Sequence, residues 1–146
     1  MIKAVYVINR DGVPLYYRED TEEENIARVT LFSGVISAIQ YLLKDLQIGS
    51  ATEVSTKSND ILLELATEFA VIVVLDQCSQ EEKTNLRKEL AKLVTTLVFH
   101  SNDVKKANFD ENSKAKIDKI VDEAIKSFEE ALHTSKATRK MKEMLW

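Results

Sequence analysis

Three residues of this chain carry side chains that could act as a nucleophile, a base or metal ligands: Cys78, His100 and His133. Cys78 stands just before Ser79, where a helix is predicted to begin, and a helix N-terminus can activate a thiolate. No Cys-His motif accompanies it, because both histidines lie far along the chain. One cysteine and two separated histidines also make a poor metal set. We therefore expect a structural cysteine, no metal and no cofactor.

Nucleotide and acyl-transfer chemistry are equally unsupported by the sequence. The chain has only 3 glycines and contains neither GxxxxGK[ST] nor GxGxxG, so a phosphate cradle is not expected. No set of nucleophile, base and oxyanion donors has a sensible spacing. The sequence predicts a protein that is not an enzyme.

Length and composition predict one soluble domain. The chain has 146 residues, 45% hydrophobic and 30% charged, with a net charge of −4. Such a length buries a sizeable core without a disulfide or metal, and the negative charge argues against a general nucleic-acid binder. The single cysteine favours a reducing compartment. No unbroken run of about 18 apolar residues occurs, so neither a transmembrane helix nor a signal peptide is expected, and cytoplasmic location is the prediction.

Five strands are predicted from alternation and turn residues. Residues 2–8 and 13–18 form a hairpin around a turn that ends at Gly12, and Pro14 places the second strand at a sheet edge. Further strands are expected at 51–56, 61–65 and 69–75. The third is polar, as at an edge. The first and fifth are apolar at most positions, as in the centre of a sheet covered on both faces.

Three amphipathic helices are predicted. The first follows a capping box of Thr21 with Glu24. It carries an apolar stripe for packing on the sheet, which consists of Ile26, Val29, Phe32, Ile36, Ile39, Leu43 and Leu46. A second stripe runs beside it at Leu31, Val35, Ala38 and Leu42. Gly34 within this helix indicates close packing against a neighbour, since glycine there costs about 1 kcal/mol relative to alanine.

The other two helices follow a second capping box, formed by Ser79 and Glu82. A polar linker at 101–112, anchored by Phe109, is expected between them. The tail from residue 135 is basic and ends in apolar side chains. The sequence thus predicts a domain at 1–134 and a tail at 135–146.

The order β-β-α-β-β-β-α-α resembles the longin fold, also called SNARE-like or profilin-like. Residues 1–3 and 7–12 (MIK, VINRDG) resemble the first hairpin of adaptor small subunits and sedlin-type trafficking proteins. Residues 31–39 (LFSGVISAI) resemble the first helix of longin-like proteins. The resemblance implies a three-layer α/β/α domain. Its five-stranded antiparallel sheet would have order 2-1-5-4-3, with one helix on one face and two on the other. A roadblock-type domain, which begins with an additional helix, fits less well.

The resemblance also implies a function in binding. Longin-like domains are generally non-catalytic platforms in vesicle trafficking that pair with longin or roadblock domains or bind small GTPases. A SNARE proper is not expected here, because the C-terminal helices are predicted to be too short for a long coiled coil. The resemblance therefore implies a homo- or heterodimer that serves a small GTPase or trafficking complex, with no nucleic acid bound.

Two surfaces are predicted to make these contacts. The first combines the second stripe of the first helix with the third strand: Leu31, Val35, Ala38, Leu42, Thr52, Val54 and Thr56. The second is the tail, where Met141, Met144, Leu145 and Trp146 would contact a partner or the periphery of a membrane. The alternative reading is a small-ligand-sensing domain with a pocket between sheet and helices, whose polar candidates are Tyr6, Tyr16, Tyr17 and Tyr41.

Overall fold

The computed structural model describes residues 1–20 and 26–145, without the side chains of residues 135–139, 142 and 145. Within this part the chain forms five strands and four helices. In chain order they are β1 (Ile2–Asn9), β2 (Pro14–Glu19), α1 (Ile26–Asp45), β3 (Glu53–Ser55), β4 (Asn59–Leu65), β5 (Phe69–Asp76), α2 (Gln80–Phe99), α3 (Ser101–Lys106) and α4 (Glu111–Leu145).

The five strands form one sheet in the order β2-β1-β5-β4-β3. Every neighbouring pair is antiparallel. This order confirms the predicted topology, with β2 and β3 at the edges and β1 and β5 at the centre. Pro14 begins the edge strand β2, where its missing N–H breaks no ladder bond.

Alternating residues of β1 contribute side chains to two separate hydrophobic cores, one on each face of the sheet. Tyr6 and Ile8 face α1, where they pack with its buried Val29 and Ile36. Val5 points the other way, into a larger core shared with α2, α3 and α4. The predicted three-layer α/β/α architecture is thus confirmed, with one helix on one face and the remaining helices on the other.

The segment predicted as a polar linker instead contains a short helix, α3. Its anchors are Val104, which is fully buried, and Ala107, which is 2% exposed. The prediction of Phe109 as the anchor was wrong, because this ring is 78% exposed. A single apolar residue in a polar run marks no helical face, so its burial could not be read from periodicity.

Helix α4 is longer than expected, at 35 residues. It runs through the predicted boundary at residue 134 without a break. Its last buried side chain among those described is Leu132. Thirteen further residues of the helix follow Leu132, a rise of about 20 Å.

The cap of α2 confirms one capping box: Ser79 Oγ accepts from Glu82 N, and the Glu82 carboxylate accepts from Ser79 N. The box predicted at Thr21 and Glu24 lies outside the described residues. Helix α1, which follows it, is long and apolar enough to cross a membrane by length and composition. Because the sequence contains no unbroken apolar run of that length, a helix that could cross a membrane was not predicted. In the fold, one side of α1 packs on the sheet.

The first hairpin closes against α1 through Gly12. This residue has φ +81°, and a Cβ built on it would lie 2.8 Å from Ser37 Cβ. The left-handed backbone costs a non-glycine residue about 1–2 kcal/mol. We therefore expect Gly12→Ala to lower the free energy of unfolding by about 2 kcal/mol, measured by urea denaturation.

Gly34→Ala is the matched control. A Cβ at Gly34 meets nothing within 4 Å, so alanine should raise helix stability by up to about 1 kcal/mol. Equal losses in the two variants would contradict the close approach at Gly12.

Candidate functional site

The cysteine is not set up as a nucleophile. Burial, and then the Asp60 carboxylate, raise the pKa of the Cys78 thiol to about 11. Its backbone N–H donates to Asp60 Oδ2 at 2.8 Å. At neutral pH the thiol therefore stays protonated, and it packs at the margin of the larger core.

The histidines and tyrosines form no reactive cluster either. Among the described residues, no group of three or more His, Cys, Asp or Glu side chains comes together as a metal site. Tyr6 stacks on Phe32 with ring centroids 4.8 Å apart, and the Tyr16 hydroxyl donates to Asp118 Oδ1 at 2.6 Å. Burial raises the pKa of Tyr6 to about 12. Both tyrosines therefore serve packing, whereas Tyr41 is half exposed.

Helix α1 has an apolar face turned away from the sheet, which we call the α1 face: Leu31, Val35, Ala38 and Leu42. All four are exposed. Leu31 is 70% exposed and Leu42 59%. The buried side of the helix holds Val29, Ser33, Ile36 and Ser37. A helix of a monomer normally presents polar residues to solvent, so an exposed apolar face is a candidate interaction surface.

The exposed apolar surface is larger than the four predicted residues. It is extended by Ile26, Tyr41, Leu46 and Ile48, each at least 50% exposed. The sequence reading had assigned Ile26 and Leu46 to the sheet-facing stripe. In a helix this rich in apolar residues the stripe is wide, so spacing alone does not identify its buried centre.

Gly34 lies beside the α1 face, and no atom of the chain approaches the place of its missing Cβ within 4 Å. The first hairpin nevertheless lies close to the backbone of Gly34, since a Cβ built on Gly12 would be 3.3 Å from Gly34 Cα.

Strand β3 supplies the second part of the predicted surface. It pairs with β4 only, so its other edge is unpaired within the sheet. The Thr52 carbonyl and the Thr56 amide bond inward to β4. In an antiparallel ladder the backbone groups alternate, so those of Glu53 and Ser55 face outward. Val54 packs partly into the core beneath α1, which places the Thr52, Val54 and Thr56 side chains on the α1 side of the sheet.

Two basic side chains of α2 hold β3 from the opposite face. Lys83 Nζ lies 2.5 Å from Glu53 Oε1 and 3.7 Å from Asp60 Oδ2. Arg87 donates to the Thr52 and Leu63 carbonyls. Burial alone would raise the pKa of Asp60. The Cys78 N–H, the Ser55 hydroxyl and the Lys83 ammonium lower it by more, so the pKa of Asp60 lies below its ordinary value.

Met141 and Met144 of the predicted tail lie near the C-terminal end of α4. Met141 is 64% exposed and Met144 is 85% exposed. Trp146 and the side chain of Leu145 lie outside the described residues. The two described methionines are thus largely accessible to solvent, and their role in a contact stays a prediction.

The ion pairs of Lys83 with Glu53 and Asp60 allow a test of how β3 is held against α2. We expect Lys83→Met to lower the free energy of unfolding by about 2 kcal/mol at pH 7, because it removes a charged partner from the buried Asp60. Lys88→Met, on an exposed position of α2, is the control and should change it by less than about 0.5 kcal/mol. Urea denaturation of both variants measures this.

The loss of unfolding free energy caused by Lys83→Met should become smaller in acid. A carboxylate whose pKa is lowered on folding stabilises the protein above its unfolded pKa, and this contribution is lost as the pH falls through the lowered value. The deficit of Lys83→Met should therefore narrow below about pH 4. An unchanged deficit at pH 3 would show that the Asp60 charge is not its cause.

Several known structures have folds similar to that of this chain. The Myxococcus xanthus MglB structure is similar at a TM-score of 0.51 and 16% identity, over 68% of this chain and 85% of that one. A chain in a homology model of the full-length AP-3 complex is similar at a TM-score of 0.47 and 12% identity, over 94% of this chain and 99% of that one. The Roadblock/LC7 domain from Streptomyces avermitilis is similar at a TM-score of 0.41 and 10% identity, over 51% of this chain and 66% of that one.

No protein-family model matches the sequence, and no curated protein matches it. The similarity is therefore one of fold. The preference for longin over roadblock type stays a prediction. Sheet order, helix placement and the MglB comparison agree that this chain has a longin-like fold.

Proposed function

We propose that this protein is a non-catalytic interaction module that dimerises, with itself or with a longin- or roadblock-type domain. The pair would serve as a platform for a small GTPase or a membrane-trafficking complex. The observation that carries the proposal is the α1 face, whose residues Leu31, Val35, Ala38 and Leu42 are exposed on a helix otherwise packed in the fold.

Burial of this face would drive association. Fully burying one exposed leucine is worth about 1.5–3 kcal/mol. Leu31 and Leu42 alone therefore offer several kcal/mol against the cost of association, which consumes much of that gain. Ala38 is small, so a partner helix can approach closely between the leucines.

The β3 edge would add directional contacts to the apolar ones. The outward N–H and C=O groups of Glu53 and Ser55 can pair with a partner strand. The side chains of Thr52, Val54 and Thr56 then lie on the same side of the sheet as α1. A two-fold axis beside β3 would join two sheets edge to edge and bring two α1 helices together.

The role towards a GTPase rests on the fold and on the lack of a phosphate-binding motif in this sequence. The chain would position the switch loops of a GTPase without binding nucleotide itself. The basic end of α4 would touch the partner or the membrane surface through Met141 and Met144. Such a protein would act in the cytoplasm, peripheral to membranes.

We expect the purified chain to have a mass near twice the 16.6 kDa of one protomer, measured by light scattering at low salt. The double variant Leu31→Glu with Leu42→Glu should be monomeric, because it would bury two carboxylates in the interface. A chain ending at Ser135 should remain dimeric, since the α1 face and β3 are intact.

Phe99→Glu with Phe109→Glu is the matched control. Both rings are highly exposed but lie outside the α1 face, so this pair should stay dimeric. Dissociation of the control, or an unaffected Leu31 and Leu42 variant, would place the interface elsewhere. If wild-type protein is monomeric alone, the same pair of variants is compared for capture of a longin- or roadblock-type partner.

The GTPase role is tested with small GTPases from the same organism, each loaded with GDP or a non-hydrolysable GTP analogue. We expect at least one to bind the wild-type chain, measured by interferometry, and to prefer one nucleotide state. Free nucleotide should not bind the chain. No binding at about 100 µM, an affinity too weak for a specific platform, would remove this part of the proposal.

A further inference from the structure

A groove opens beneath the C-terminal part of α1, where the helix leaves the sheet. Ser37 is the last buried residue of α1, although the helix continues to Asp45. The groove has a volume of ≈ 600 Å³ and is bordered by α1, the loop after it, the turn after β1 and the β4–β5 turn. This volume falls in the range of sites for small molecules, about 300–1,000 Å³.

Hydrogen bonds fix two walls of the groove. The Gln40 side chain bonds both backbone groups of Ala51, accepting from N at 2.8 Å and donating to O at 3.0 Å. Ser37 Oγ donates to the Arg10 carbonyl at 3.1 Å. The loop after α1 and the first hairpin are thus both tied to the helix. The groove is therefore formed before any ligand arrives.

The lining combines an apolar floor with a half-open mouth. Ile8, Ile36 and Ala70 are buried residues that form part of the lining. Leu65 and Tyr41 also line it and are 46% and 50% exposed. The Tyr41 hydroxyl has no partner among the described residues, so it can serve a ligand.

The charge of the lining has one sign. Arg10 and Lys44 line the groove, and none of its lining residues is Asp or Glu. Arg10 Nε donates to the Thr67 carbonyl at 2.7 Å, which fixes the guanidinium beside the β4–β5 turn. Lys44 makes no ion pair with any other residue that the structure describes. Two cations without a lining carboxylate complement an anion.

We propose that this groove binds a small, soluble organic anion with an apolar chain or ring. The apolar part lies over Ile8, Ile36 and Ala70. The anionic group, a carboxylate or phosphate, is held at the rim by Arg10 and Lys44. Because Gln40 and Ser37 are engaged within the fold, the two cations and the Tyr41 hydroxyl are the groups that recognise the ligand.

Sodium octanoate is the probe, with 1-octanol as its uncharged counterpart, and backbone amide NMR of the full chain is the readout. Octanoate should shift the signals of Gln47, Gly49 and Ser50 in a saturable way, and octanol should bind about tenfold more weakly. Lys44→Gln and Arg10→Gln should each weaken octanoate about tenfold. Lys57→Gln, which removes a charge outside the groove, should leave binding unchanged.

Ser50→Trp tests the apolar half, since an indole at this lining position should block octanoate and octanol alike. Three results would overturn the proposal: no saturable shift up to about 10 mM octanoate, equal weakening by Lys57→Gln and Lys44→Gln, or shifts confined to the α1 face. The titration is repeated on the Leu31→Glu, Leu42→Glu variant. Groove binding there separates this inference from the outcome of the dimer experiment.

Discussion

The fold depends on the central strand pair, β1 with β5, which is apolar on both faces. Val5, Val71 and Ile72 are fully buried, on opposite sides of the sheet. Each face must therefore be covered by helices, because neither can remain in water. Three helices cover one face, whereas α1 alone covers the other. Helix α1 is also more apolar than α2 and α4, although only one of its sides packs on the sheet.

The same inequality explains the two candidate surfaces. A single straight helix cannot follow a twisted sheet along its whole length. Helix α1 packs closely near Val29 and Ile36 and then separates from the strands beyond Ser37. Its outer side forms the α1 face, and the gap beneath its end forms the groove. Both surfaces therefore arise because α1 is the only helix of the described chain that covers this face of the sheet.

Most of the fold could be predicted: the sheet order was implied by the resemblance to the longin fold, and Pro14, the polar third strand and the apolar fifth strand agreed with it. The second stripe of α1 could be predicted as well, although its position relative to Ile26 and Leu46 could not. Helix α3 was missed because its burial rests on Val104 and Ala107, too few residues to show a period. The groove depends on contacts distant in sequence, such as Arg10 with Thr67, and no local pattern reports those.

The two edges of the sheet differ in a way that limits assembly. At the β2 edge, Pro14 has no N–H to offer, and its carbonyl already accepts from Asn108 at 2.8 Å. Register shifts between Val7 and Ile8 further disturb regular pairing there. At the other edge, β3 is three residues long and turns the backbone groups of Glu53 and Ser55 outward. In the proposed dimer the two β3 strands pair with each other, so this edge of each sheet is used up and strand pairing through it ends at two copies.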